Sequence, residues 1–312
     1  MKSLCFPTLS VFTGAALLLP SWLVAAAPAP ALVWPSTDAL PKFDQFPATR
    51  MEQRWTRDQL LDGVTTLDYP RGRLREDPLP LVRRFDGLRV SDVLDAMQFL
   101  GLQDTGKMDE SIRPVWKDTT DAVAHRICGV ALTAQYVPTN RPTGAGRLPP
   151  AEFKRWHESW YQTLAAEVWV HLTGPGIIVV IDGQGTESTG FLGSHNTLIW
   201  KTRGTPGVIT NGRCRDVDEV TLQRVPIYAS AHGGGTRPGR IELASVNLPV
   251  AVGGVLVRPG DLVLADGDGV VVVPREYAET VADIARNEAA IDKERRRRFY
   301  DRNKMPHDAT VR

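Results

Sequence analysis

Net charge is nearly absent from this chain, and cysteine is scarce. Its 312 residues set 37 Lys+Arg against 36 Asp+Glu, a formal net charge of +1, and contain 3 cysteines. Without a basic excess there is no global pull toward nucleic acid or a membrane surface. No Cys/His spacing makes a zinc site. A P-loop, a dinucleotide fingerprint in a strand–helix setting and a serine-centred nucleophile elbow are all missing, and with them the chemistries that those motifs carry. No internal repeat is evident. What is present is the composition of an ordinary globular protein, 42% hydrophobic and 23% charged, long enough for one large domain or two small ones.

The longest apolar run, residues 11–24, is short for a membrane span and is interrupted by Pro20 and Ser21. It follows Lys2 and precedes Ala25-Ala26-Ala27, the pattern of a secretory signal peptide over residues 1–27. The expectation is an exported protein, periplasmic or secreted, with no membrane attachment after cleavage. Cys5 lies before the expected cut. That leaves Cys128 and Cys214; an even count permits one disulfide, but the apolar, strand-like surroundings of both favour two buried thiols. The run Arg295 to Arg298 ends an Ala- and Glu-rich helical segment and reads as a solvated helix end suited to the helix dipole.

Residues 28–80, rich in Pro, Asp and Arg, read as an N-terminal extension that wraps the surface or a neighbouring subunit. A principal domain is expected over residues 81–300, with a tail at 301–312. Ser91 is the expected cap of a helix beginning SDVLDAM. CGVALTA (128–134) reads as a short strand and 138–150 as a Pro/Gly loop. Residues 151–172 read as an amphipathic helix whose Trp156, Trp160, Leu164 and Trp169 face a core; His157 and His171 read as ordinary histidines. GIIVVID (176–182) is a buried strand, followed by Gly183-Gln184-Gly185. Strand, glycine turn, helix and strand make an α/β pattern. From Ala244 onward, short β-branched strands broken by Gly-Gly, Pro-Gly-Asp and Gly-Asp-Gly turns read as antiparallel hairpins. A last helix covers about 275–298.

The most informative stretch is residues 193–216, GSHNTLIWKTRGTPGVITNGRCRD. A glycine turn leads into a helix-length segment and then a strand that ends at Arg215-Asp216. An arginine can fork onto a carboxylate, and an aspartate can hold a hard divalent cation through oxygen. Side by side at a strand end, they suggest an anionic, metal-assisted site.

Several pieces in fixed order resemble one family: Ser91-Asp92…Leu94-Asp95, Gly129-Val130-Ala131-Leu132-Thr133, Val179-Val180-Ile181-Asp182-Gly183, Gly193 with 21 residues before Arg215-Asp216, Pro249-Val250…Gly253-Gly254-Val255, Pro259-Gly260-Asp261, and Asp266-Gly267-Asp268-Gly269-Val270. Together, over roughly residues 88–290, they resemble 4-hydroxy-4-methyl-2-oxoglutarate aldolase and the regulator of ribonuclease E activity A. The resemblance implies an α/β/β sandwich of the swivelling-domain type with flanking helices, assembled as a homotrimer or homohexamer with its site between subunits. It implies a class II aldolase using Mg²⁺ or Mn²⁺, which cleaves a small 4-hydroxy-2-oxo acid to pyruvate and often decarboxylates oxaloacetate. Carried over, Arg215 binds the pyruvyl carboxylate and oxo group, Asp216 is the direct metal ligand, and the backbone N–H groups of Gly193, Ser194, His195 and Asn196 hold the carboxylate at a helix N-terminus. Glu288 or Glu294 of a neighbouring subunit would help to position metal waters.

The chain departs from the family where an acidic side chain is expected after the turn glycine: it has Ser194, which cannot act as a carboxylate base. His195, water or an acid from elsewhere can fill that place. The family also holds non-enzymatic members, so a binding or regulatory protein on the same scaffold is the alternative. Among those members the ribonuclease E inhibitor does not keep the Asp of the Arg-Asp pair; this chain keeps it, which favours a metal-using enzyme. Two features stand outside the pattern. His232-Gly233-Gly234-Gly235 with Arg237 and Arg240 either closes over an acidic substrate or merely turns the chain. Asp266 and Asp268 lack the remaining ligands of a calcium loop and read as a hairpin turn.

Overall fold

The buried apolar runs of this sequence pair into one strongly curved sheet. The computed structural model describes residues 56–62, 67, 69, 71–143, 145–183, 186 and 189–312, all within one compact unit, Trp34–Arg312. The expected signal peptide and most of the expected extension lie outside the described residues. In chain order the helices are α1 (Arg57–Asp62), α2 (Leu79–Arg83), α3 (Val90–Phe99), α4 (Pro150–Thr163), α5 (Ser194–Thr202), α6 (Val217–Leu222) and α7 (Ala278–Arg302). The strands are β1 (Arg113–Pro114), β2 (Ile127–Pro138), β3 (Ile177–Asp182), β4 (Gly190–Leu192), β5 (Val208–Cys214), β6 (Ile227–His232), β7 (Ile241–Val246), β8 (Val250–Val252), β9 (Val255–Val257), β10 (Leu262–Asp266) and β11 (Gly269–Val273).

The sheet order is β1-β6-β5-β3-β2-β10-β11, with β4 on β5 and β7 on β2. β2, β3, β5 and β6 run parallel, and every residue of β3 is buried, as expected for parallel strands covered on both faces. β10 and β11 extend the sheet as an antiparallel hairpin. β1 pairs with β6 at one end, while Lys107 bridges to Val271 of β11 at the other. Residues 107–114 therefore span the gap, and the sheet is nearly closed.

One face buries Ile178, Val180, Ile209 and Val263 against the valines of the separate β8–β9 hairpin. The other buries Val179, Ile181 and Leu264 under helical residues, among them Trp200, Val281 and Ala282. Helices, sheet and hairpin make the expected α/β/β arrangement. No helix among the described residues is long and apolar enough to cross a membrane.

Several local expectations change. Ser91 is not the α3 cap: the helix begins one residue earlier, Asp92 accepts from the Arg89 amide at 2.8 Å, and Asp266 accepts from the Val90 amide at 2.9 Å. With those two amides satisfied, the helix starts at Val90 and Ser91 falls inside its first turn; the Val93 amide, which a Ser91 cap would serve, instead donates to the Arg89 carbonyl at 3.2 Å. The helix expected over 151–172 ends at Thr163 and resumes as a 3-10 turn, Val168–Leu172. The Leu164 carbonyl, which a longer helix would use, instead accepts from the Leu243 amide of β7 at 2.8 Å. Trp160 and Trp169 are buried as expected, their indoles donating to the Ile241 carbonyl and the Tyr136 hydroxyl. The strand expected at 128–134 runs to Pro138, α7 extends to Arg302, and Val311 beyond it is buried. Asp266 and Asp268 form a hairpin turn, with the Asp266 carboxylate accepting from the Asp268 amide. Both described cysteines are free.

Candidate functional site

The parallel strands β3, β5 and β6 end on one rim of the sheet, the edge at which open α/β sheets build sites. β5 runs off this rim into Arg215-Asp216. The Arg215 amide continues the strand by donating to the Leu192 carbonyl at 2.8 Å. Asp216 then adopts φ 56° and ψ 41°, a left-handed conformation that few residues other than glycine, asparagine and aspartate adopt. The Asp216 carboxylate meets the start of α5: one oxygen accepts from the Ser194 amide at 3.2 Å, the other from Arg215 Nε at 3.1 Å.

Two glycines make this approach possible. A Cβ on Gly193 would lie 2.7 Å from Asp216 Oδ2, and one on Gly190 would lie 2.9 Å from the Cβ of Arg215. The Arg215 and Asp216 side chains are 35% and 33% exposed. Neither terminal nitrogen of Arg215 donates a hydrogen bond among the described residues, which leaves the guanidinium fork open to a carboxylate.

Of the expected site residues, the structure brings Gly193, Ser194, Arg215 and Asp216 together. His195 sits in the first turn of α5, exposed, with no hydrogen bond among the described residues. Asn196 turns its side-chain amide away to Glu167, donating at 2.6 Å. Glu288 and Glu294 lie on α7, where Glu294 pairs with Arg298 at 2.8 Å.

The loop expectation at 232–240 resolves toward turning the chain. Arg237 is buried, donates through Nε and Nη2 to the Phe191 carbonyl at 3.1 and 2.7 Å, and pairs with Glu167 at 2.5 Å. Burial is the largest influence and works against its charge, but Glu167 and the neighbouring tyrosines Tyr136 and Tyr161 together turn the net direction upward. Arg240 donates to the Thr236 carbonyl. Burial pushes the Cys128 and Cys214 thiols up to about 12, so neither is a thiolate nucleophile at neutral pH. An open cleft of about 700 Å³ on the same rim is lined by Lys107, Asp109, Asn211, Arg213 and Ser230, but not by Arg215 or Asp216.

Residues 90–272 match the family model described as RraA-like, Aldolase/RraA. The chain belongs to this family. Among its relatives, a protein of Halalkalibacterium halodurans provisionally named 4-hydroxy-4-methyl-2-oxoglutarate aldolase is 32% identical over 129 residues, 41% of this chain and 60% of that one. One of the same provisional name from Deinococcus radiodurans is 36% identical over 104 residues, 33% of this chain and 64% of that one. The chain thus spans about 60% of the length of the relative from Halalkalibacterium. Among solved structures, Streptomyces coelicolor RraAS2, described as an unusual member of the RNase ES inhibitor RraA family, aligns with a TM-score of 0.56 at 25% identity, over 70% of this chain and 98% of that one. An uncharacterised Pseudomonas syringae protein shares the fold with a TM-score of 0.55 at 23% identity, over 73% of this chain and 94% of that one.

Proposed function

We propose that this RraA-like protein is a divalent-metal-dependent lyase that cleaves a small 4-hydroxy-2-oxo acid, releases pyruvate and also decarboxylates oxaloacetate. The observation that carries the reading is the Arg215-Asp216 turn, held against the N-terminus of α5 with the arginine fork free. The names of the aldolase relatives support it.

Among the described residues, no group of three or more His, Cys, Asp or Glu side chains can enclose a metal. The single partly exposed carboxylate of Asp216 suits Mg²⁺ or Mn²⁺ instead, since Mg²⁺ keeps several of its waters and takes one or two carboxylates. When bound, the ion supplies Lewis-acid stabilisation of the charge that develops on the 2-oxo oxygen. Arg215 binds the C1 carboxylate, and the His195 and Asn196 amides share its charge at the positive end of α5, the Ser194 amide already donating to Asp216. His195 takes the proton of the 4-hydroxyl. The C3–C4 bond then breaks, its electron pair passes into the enolate of pyruvate, and C4 leaves as a carbonyl; a proton added at C3 completes pyruvate. With oxaloacetate, carbon dioxide leaves in place of the carbonyl product.

The direct test mixes the chain with pyruvate in deuterated water, with Mg²⁺ or Mn²⁺ and with chelator, and follows the methyl signal by NMR. Metal-dependent exchange that is lost in Asp216→Ala is the expected result. A folded, metal-treated chain that exchanges nothing would favour the second reading, a binding or regulatory protein on the same scaffold. The observation on that side is Ser194, standing where an acid is expected.

A further inference from the structure

We infer that Glu167 and Arg237 form a buried clamp fixing the 193–196 turn, with Glu167 as a positioning residue for the carboxylate-binding amides. The inference rests on the proposed reading for its catalytic consequence, but not for its geometry.

The turn is gripped on both sides of Gly193. Two residues upstream, the Phe191 carbonyl accepts from Arg237 Nε at 3.1 Å and Nη2 at 2.7 Å. Three residues downstream, Asn196 Nδ2 donates to Glu167 Oε1 at 2.6 Å. One helical turn further on, Trp200 Nε1 donates to Glu167 Oε2 at 3.0 Å. The two grips join through the Arg237–Glu167 ion pair at 2.5 Å, whose side chains are 1% and 15% exposed. The guanidinium also lies over the Tyr136 ring, 5.4 Å from its centroid, and Trp169 packs against Trp200 with ring centroids 4.9 Å apart and planes tilted by 60°.

A buried ion pair contributes little net stability compared with apolar packing of the same volume. What it supplies is direction, because charge-assisted hydrogen bonds fix their partners in distance and angle. Here those partners flank the amides that would meet a substrate carboxylate. Loosening such a cradle weakens its hold on the substrate carboxylate in the ground state and the transition state alike. Asn196 acts on substrate through its backbone N–H, since its side-chain amide is already spent on Glu167. Glu167 touches neither Arg215 nor Asp216 and acts through α5.

Asn196→Ala tests the clamp without disturbing the ion pair. Amide hydrogen exchange at residues 193–200 is expected to quicken about tenfold, the effect of losing one charge-assisted hydrogen bond, while α7 keeps its protection. Unchanged exchange at 193–200 overturns the clamp, whether or not the wild-type chain turns over. In a chain that catalyses pyruvate deuteration, KM for pyruvate is expected to rise about tenfold with kcat nearly unchanged, the mark of lost ground-state binding. A fall in kcat at constant KM overturns the positioning role. Glu167→Gln leaves Arg237 buried without its counter-charge; its expected effect is the same local exchange together with a lower unfolding midpoint. Deuteration failing in the wild type would sink the proposed function alone, because the exchange measurement decides the clamp by itself.

Discussion

Asp216 carries two demands that pull in different directions. Its backbone occupies the left-handed region, where glycine is at ease, while its side chain must supply the carboxylate. Asp216→Gly and Asp216→Ala should therefore lose metal-dependent pyruvate deuteration alike, yet differ in stability. The glycine variant should be the more stable by about 1 kcal/mol, because alanine keeps the Cβ penalty without the carboxylate. Urea titration of the two variants checks this; equal midpoints would mean that the turn relaxes. Gly193→Ala makes the complementary case. Its Cβ would stand 2.7 Å from Asp216 Oδ2, so carboxylate and helix start must separate. The expected outcome is an activity loss of about 100-fold from misplaced groups, with circular dichroism unchanged. Wild-type turnover in that variant would show that the contact does not matter to the reaction.

Helix termini show how far sequence pattern carries at the next scale. α5 was legible because a glycine, a helical segment, a strand and an Arg-Asp pair follow one another within 24 residues. The true cap of α3 was half legible. Asp92 three residues after Arg89 is local, but Asp266 arrives from a turn 176 positions away. The same distance problem hid Glu167 and Arg237, which are separated by 70 positions and meet only once β7 has paired with β2. Glu167 read as one more polar residue of an amphipathic helix, since nothing local announced that the helix would stop at Thr163. Arg237, in a glycine-rich loop that could either close over an acidic substrate or turn the chain, is fully enclosed. Asp92→Ala is expected to cost about 0.5–2 kcal/mol, the usual range for a lost cap, with α3 amides losing protection first. A loss below about 0.3 kcal/mol in urea titration would assign the capping to Asp266 instead.

The strand runs gave the fold class and the hairpins, but not the near-closure of the sheet, which depends on residues 107–114 bridging β11 to β6. A second long-range tie holds that end of the molecule together. Asp261, 2% exposed, follows the β9–β10 turn and accepts from the Arg258 amide at 2.8 Å and from the Arg275 amide at 3.0 Å, just before α7. Burial raises its carboxyl from the ordinary 3.8 to about 6, against the pull of those two amides. The folded chain therefore holds a proton there more tightly than the unfolded chain does. Its contribution to stability is complete below about pH 4, declines as pH rises between 4 and 6, and is gone above that window. A shift of this size corresponds to about 3 kcal/mol. Urea unfolding of the wild type and Asp261→Asn across pH 4–8 isolates the effect, because the other titrating groups are common to both chains. The stability of the wild type relative to the variant should fall by about 2 kcal/mol between pH 4 and pH 7, since at pH 4 the unfolded carboxyl is already partly ionised. A difference that stays flat would mean that the two amides keep Asp261 ionised throughout, and that the tie between hairpin and helix is a salt-free hydrogen-bond clamp insensitive to acid.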